Sequence, residues 1–239
     1  MSRYVVQAGW DDVPHLSDQD KAELSKSLAP HQKDARMKGI PSLGSGAIYP
    51  IPEEEIVCDP FQIPKHFAKV FGLDVGWKKT AAIWGAWDRD ADIVYLFSEH
   101  YRGYAEPSVH ATAIKARGKW IPGNIDYAGT NQTDGTRVMQ KYESEDLVLF
   151  PADKSVEAGL MEVLDRLSTG RLKIFSTLQN TLKEYRIYRR DEKGKIVKKN
   201  DHLMDALRYL IMGLHNAKTK PIERSYDGGY KVADRTVGY

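Results

Sequence analysis

The stretch from Phe67 to Arg102 leaves the chain little freedom. "FAKVFGLDVGW", "TAAIWGAWD" and "ADIVYLFSEHYR" are apolar runs of strand length, and only the polar segment "DRDA" (88–91) separates the second from the third. That spacing predicts a hairpin, so three strands able to pair antiparallel open the folded unit. Downstream the period changes. "PSVHATAIKARGKW" reads as a helix with a proline suited to its first turn. "GNIDYAG" is a short strand reaching Asp126, "TDGTRVMQKYES" a helix and "DLVLFPA" a buried-type strand. "KSVEAGLMEVLDRLSTG" is a long helix closed by Gly170. "RLKIFS" reads as a short strand, "TLQNTLKEY" as a helix, and "RIYRRDEKGKIVKKN" as two short strands around "DEKG". Strands first, then strands alternating with helices, argue for a mixed α/β sheet with helices on its faces.

The last helix, in "KKNDHLMDALRYLIMGLHN" (198–216), carries Leu203, Leu207, Leu210, Ile211 and Leu214 on a core-facing stripe. Asp201 and Asp205 lie one turn apart at its start, on one face. Acids are favoured in a first helical turn, and a cation held between carboxylates would explain them as well.

The first 66 residues differ from the rest. "DQDKAELSKSL" (18–28) is a convincing short helix, with Ser17 as its cap and Asp20 in the place of the capping-box acid. Pro30 ends it, and the Pro- and Gly-rich segment that follows reads as an irregular connector. Residues 1–66 therefore look like the end of another unit or an arm packing on the main domain, 67–217 like the domain itself, and 218–239 like a flexible tail. Hydrophobic residues make up 41% and charged residues 28% of the 239, as in a soluble globular protein. A net charge of +2 is too small to imply nucleic acid, so any basic patch must be local. No apolar run of about eighteen residues and no signal-like N-terminus occurs. With one cysteine, Cys58, an intramolecular disulfide and a Cys-rich zinc site are both excluded.

The acids then stand out. Asp74 ends the first apolar run, where a carboxylate is costly unless paired or metal-bound. Asp126 ends the fourth predicted strand, and ligand sites in α/β sheets cluster at strand ends. Carboxylates without a histidine–thiolate set suit a hard ion such as Mg²⁺ or Mn²⁺. Two such ions, about 4 Å apart, activate water against a phosphodiester. Taken singly, each acid has a plainer reading: Asp74 and Asp126 as turn acids, Asp201 as an N-cap after Asn200, Asp205 as a partner of Arg208.

"GLDVGWKKTAAIWG", "NIDYAGTNQTDG" and "KKNDHLMDALRY" are similar to the three acidic motifs of the nuclease domain of phage terminase large subunits. The resemblance implies a ribonuclease H-like sheet flanked by helices. It also implies an endonuclease that cuts concatemeric viral DNA during packaging, in the cytoplasm of the host. By the same resemblance Asp74, Asp126 and Asp201 are catalytic and hold two Mg²⁺ or Mn²⁺ ions, with Asp74 bridging them. Asp205 is a fourth ligand or an acid behind the ligands. Tyr127 stands where that family commonly has proline. "AGWDDVPHLS" and "ARMKGIPSLGSGAIYP" resemble the exit from the family's ATPase domain, but no G-x-x-x-x-G-K-[ST] loop occurs in these residues. The chain is expected to be a fragment or a separately encoded nuclease half, with the ATPase domain, the small subunit and the portal as partners.

Double-stranded DNA would lie on a basic hairpin. Lys183 to Lys199 carries eight Lys/Arg against three acids, and Arg186, Arg189, Arg190, Lys193, Lys195, Lys198 and Lys199 suit phosphates without sequence preference. Lys78 and Lys79, just after Asp74, could reach a phosphate too. A solvated, charge-blunted hairpin and a surface turn are the plainer readings. Trp77, Trp84 and Trp87 invite base stacking, although the strand alternation puts Trp84 in the core. His202 and His110 are tempting bases, yet a two-metal reaction needs none. Three alternatives stay open: a DNA-clamping module that does not cut, another ribonuclease H-like nuclease such as a resolvase, and an actin-like ATP-binding domain suggested by the Asp-x-Gly turn.

Overall fold

Seven strands form one sheet in the order β1-β7-β4-β3-β2-β5-β6. They are β1 (Val57–Cys58), β2 (Ala68–Asp74), β3 (Thr80–Asp88), β4 (Ile93–Arg102), β5 (Gly123–Asp126), β6 (Leu149–Pro151) and β7 (Leu172–Phe175). The helices are α1 (Asp18–Ser27), α2 (Glu53–Ile56), α3 (Pro107–Lys115), α4 (Gln132–Glu143), α5 (Val156–Ser168), α6 (Gln179–Ile187) and α7 (His202–Met212). This is a computed structural model, and it describes residues 10, 16–27, 46–126, 132–191 and 193–221. Leu28, Pro30, the connector up to residue 45, Tyr127 and residues 222–239 lie outside the described residues.

The expected meander is present: β2, β3 and β4 pair antiparallel, with the β3–β4 turn where "DRDA" stands. β5 then joins β2 in parallel and β6 joins β5, while β7 joins the far edge of β4. Alternation along β2 feeds two cores. Val70 packs with Val163 and Leu167 of α5, Leu182 of α6 and Leu207 of α7. Phe71 and Leu73 pack with Ala111 and Ile114 of α3 and Tyr142 of α4, around a fully buried Trp84.

Helix α7 lies directly on β2. A Cβ on Gly72 would stand 1.9 Å from the Ala206 carbonyl oxygen, so only glycine lets the helix backbone approach so closely. This contact sets where the start of α7 falls relative to the end of β2.

Part of the N-terminal arm is built into the same unit. Tyr49, Ile51 and Ile56 are buried in the larger core, and β1 adds a parallel edge strand to β7. At α1, Ser17 Oγ accepts the Asp20 N–H at 3.2 Å while Asp20 Oδ2 accepts from the Ser17 hydroxyl at 2.6 Å, the predicted cap.

Two expectations need correction. The basic segment is a shorter hairpin than expected: α6 runs through Arg186 and Ile187, and only Arg190 bridges Ile196, with the Asp191 N–H donating to Lys195 O at 2.8 Å and the Val197 N–H to Arg189 O at 3.0 Å. Asp191 Oδ1 accepts the N–H groups of Lys193 and Lys195, which shapes its turn. The tail is ordered where it starts, because Lys218 exchanges backbone hydrogen bonds of 2.7 and 3.1 Å with Lys69.

Candidate active site

Register and pleat together place the first two acids. Asp74 pairs with Asp126 across the parallel β2–β5 ladder. Gly72, two residues before Asp74, faces α7, and so does Asn124, two before Asp126, whose amide donates to Gly213 O at 3.2 Å. With a side-chain period of two, Asp74 and Asp126 point to that same face. There His202 Nδ1 donates to Asp74 Oδ2 at 2.9 Å, and the Tyr209 hydroxyl donates to Asp126 Oδ2 at 3.0 Å. Lys154, in the β6–α5 loop, stands 3.8 Å from Asp126 Oδ1.

The third corner is the start of α7. Asp201 occupies the N-cap position, yet its carboxylate makes no capping hydrogen bond. The cap comes from another helix: Glu184 of α6, buried, accepts the Leu203 N–H at 2.6 Å and the Tyr101 hydroxyl at 2.7 Å. A first-turn N–H is thereby satisfied, and Asp201 is left to face Lys198. The Lys198 ammonium lies 3.2 Å from Asp201 Oδ2, near enough to pair though without hydrogen-bond geometry, and 2.9 Å from Asp205 Oδ2 with it. Arg208 donates to the other Asp205 oxygen at 3.1 Å, the partner expected from spacing.

Electrostatics tie the corners together. Burial pushes the Asp74 carboxyl above the ordinary range; the His202 hydrogen bond opposes this, and the charges of Asp205 and Asp126 add to it. His202 is raised in turn, first by its bond to Asp74. Burial pulls Lys198 down, but Asp205 and Asp201 outweigh it and hold the ammonium charged. The cluster crowds negative charge and draws the chain's own cations onto it, as expected of carboxylates suited to a hard cation. Among the described residues, no three His, Cys, Asp or Glu side chains already stand close enough to hold an ion together. The donors therefore fit a divalent ion in kind, while Lys198 and His202 take up part of their charge.

Of the expected phosphate ligands, several are engaged within the chain. Arg186 forms a two-pronged pair with Glu53, both contacts 2.6 Å. Arg190 meets Glu157 at 2.6 Å, and Lys79 lies 4.3 Å over the Tyr101 ring. Lys78, Arg189, Lys193, Lys195 and Lys199 are exposed. Sequence reasoning missed Glu184, Tyr209 and Lys154. Only Glu184 left a trace, an acid between the core positions Leu182 and Tyr185. Trp87 is engaged within the chain: its indole N–H donates to Asp92 at 2.9 Å, and the Arg89 guanidinium lies 5.2 Å over its ring.

A meander continued by parallel strands, with acids at adjacent strand ends facing a final helix, is the ribonuclease H-like arrangement. The chain belongs to the Terminase RNaseH-like domain family, which matches residues 71–214. It is 37% identical over 224 residues to the terminase large subunits of Salmonella phage P22 and Enterobacteria phage LP7, covering 88% of this chain. It spans less than half the length of those relatives, 44% and 46%. The P22 large terminase nuclease domain superposes with a TM-score of 0.70 at 35% identity, over 74% of this chain and 96% of that one. The SPP1 nuclease domain, solved with bound Mn, shares the fold at a TM-score of 0.51 and 19% identity, over 66% of this chain and 96% of that one. Among the described residues no helix is long and apolar enough to cross a membrane.

Proposed function

We propose that this chain is a divalent-metal-dependent DNA endonuclease, the nuclease part of a terminase large subunit. One observation carries the reading: Asp74 and Asp126 sit side by side on the α7 face, and the start of α7 brings Asp201 and Asp205 together on Lys198. Asp74 and Asp126, with Asp201 and Asp205 at the start of α7, would hold Mg²⁺ or Mn²⁺. Bound there, such ions activate water and neutralise charge on the cleaved phosphodiester.

The residues themselves prepare the site. His202 and Tyr209 hold one oxygen each of Asp74 and Asp126, which fixes how the carboxylates present their remaining oxygens. Glu184 anchors the first turn of α7 and so positions His202 and Asp205. Lys78, Arg189, Lys193, Lys195 and Lys199 would lie along DNA phosphates. The resemblance to terminase large subunits supports extending this reading to action on concatemeric viral DNA in the host cytoplasm, with an ATPase domain, a small subunit and a portal as partners.

Plasmid cleavage with Mg²⁺, Mn²⁺ or EDTA tests the reading. Cleavage should need the metal and fall to background in Asp74→Ala and in Asp205→Ala. Retained DNA binding with no cleavage under any metal would overturn it in favour of a clamping module.

A further inference from the structure

Two large aromatic side chains stand in solvent at the end of the sheet that bears Asp74. Trp77 is 63% exposed and Tyr104 70% exposed, and their rings meet edge to face with centroids 6.3 Å apart. Leaving both out of a core forgoes burial that rings of this size normally supply. The backbone holds them there. The Tyr104 N–H donates to the Trp77 carbonyl at 2.8 Å, which joins the β2–β3 turn to the segment after β4. Gly103 permits that contact, since a Cβ on it would stand 2.0 Å from Lys78 O. Tyr104 itself has φ 53, a left-handed conformation that is costly for a bulky residue. The turn is braced as well: the Thr80 hydroxyl donates to Gly76 O at 3.0 Å.

The surroundings are cationic and continuous with the acids. Lys78 and Arg102 flank the pair and are exposed. Lys79 covers Tyr101, whose hydroxyl bonds Glu184, the residue that caps α7. Exposed ring faces beside phosphate-seeking cations are the chemistry of single-strand binding, in which every base offers a π-face and sequence matters little. A base inside an intact duplex offers no free face. We propose that Trp77 and Tyr104 form a stacking platform for a nucleobase displaced from the duplex, and that they position the strand beside the acid cluster. The inference rests on the nuclease reading, and both aromatics are positioning residues.

The test is binding by the full chain in EDTA, with an intact duplex compared against the same duplex carrying a short single-stranded gap. The gapped DNA should bind tighter. Trp77→Ala and Tyr104→Ala should each lose about tenfold in affinity for it. Affinity for intact duplex and the unfolding midpoint should not move, and Trp77→Phe should keep most of the preference. Equal binding of the two DNAs by the wild type, or alanine variants that keep the preference, would overturn the platform. Its failure is separable from that of the nuclease reading. Metal-dependent cleavage with no gap preference removes the platform alone, and a gap preference that needs Trp77 without any cleavage removes the nuclease alone.

Discussion

At the scale of single residues, the chain shows how burial and neighbours assign protons. His100 Nε2 and His110 Nδ1 lie 2.9 Å apart, so one ring donates and the other accepts. Burial, then His110, Arg117 and Arg102, bring His100 down to about 4, and burial lowers His110 too. In the unfolded chain both take up protons near pH 6.5. Between those values the unfolded state binds more protons, so stability is full above about 6.5 and is lost as pH falls toward 4. Urea midpoints measured above and below this window should drop less for His100→Gln than for the wild type. An equal drop would show that the pair is not the source. No sequence pattern pointed to this pair, because residues ten apart meet only once β4 and α3 have packed.

At the scale of elements, the contact of α7 on β2 governs the site. Both elements were legible: β2 from its apolar run, α7 from its leucine stripe. Their direct backbone contact was not, because Gly72 looks like any strand glycine until Ala206 O is found where its Cβ would stand. Gly72→Ala should therefore cost about 3 kcal/mol or more by overpacking and displace His202 and Asp205 from Asp74. Gly194 has φ 75 and nothing within 4 Å of an added Cβ. Gly194→Ala should cost only about 1 kcal/mol, the left-handed penalty alone. Denaturant unfolding of the two variants decides; similar costs would refute the role given to Gly72. The same packing explains the reading of Asp201. Spacing marks it as cap or ligand with equal right, while the Leu203 N–H at the helix start is accepted by Glu184, which reaches it from α6.

At the scale of the whole molecule, the described residues from Tyr49 to Ile56 pack into the larger core. Tyr49 stacks on Tyr185 at a centroid distance of 6.1 Å, and the Tyr185 hydroxyl donates to Ile51 O at 2.8 Å. A chain starting at Phe67 would lose Tyr49, Ile51 and Ile56 from the core and bare the edge of β7. Their burial stabilises by about 5 kcal/mol on an area basis, so the truncated chain should melt about 10 °C lower than one starting at Gly46. Unchanged melting would mean that the arm only rests on the surface. The sequence left the choice open between the end of another unit and a packing arm, because the arm's Pro- and Gly-rich composition carries no period, although three of its side chains are buried.

By itself the sequence determined the mixed sheet, the meander, the helix order and the positions of Asp74, Asp126, Asp201 and Asp205, since hydrophobic period and chain order are local and survive without coordinates. Tertiary structure alone decided which acids act on one another. Asp74 meets Asp126 through ladder register and His202 through a helix seated on a glycine, contacts between residues far apart in the chain. It also decided that Arg186 and Arg190 spend their charge on Glu53 and Glu157, and that Trp77 faces solvent while Trp84 does not. A side chain's type states what it can do, and only packing states which partner is within reach.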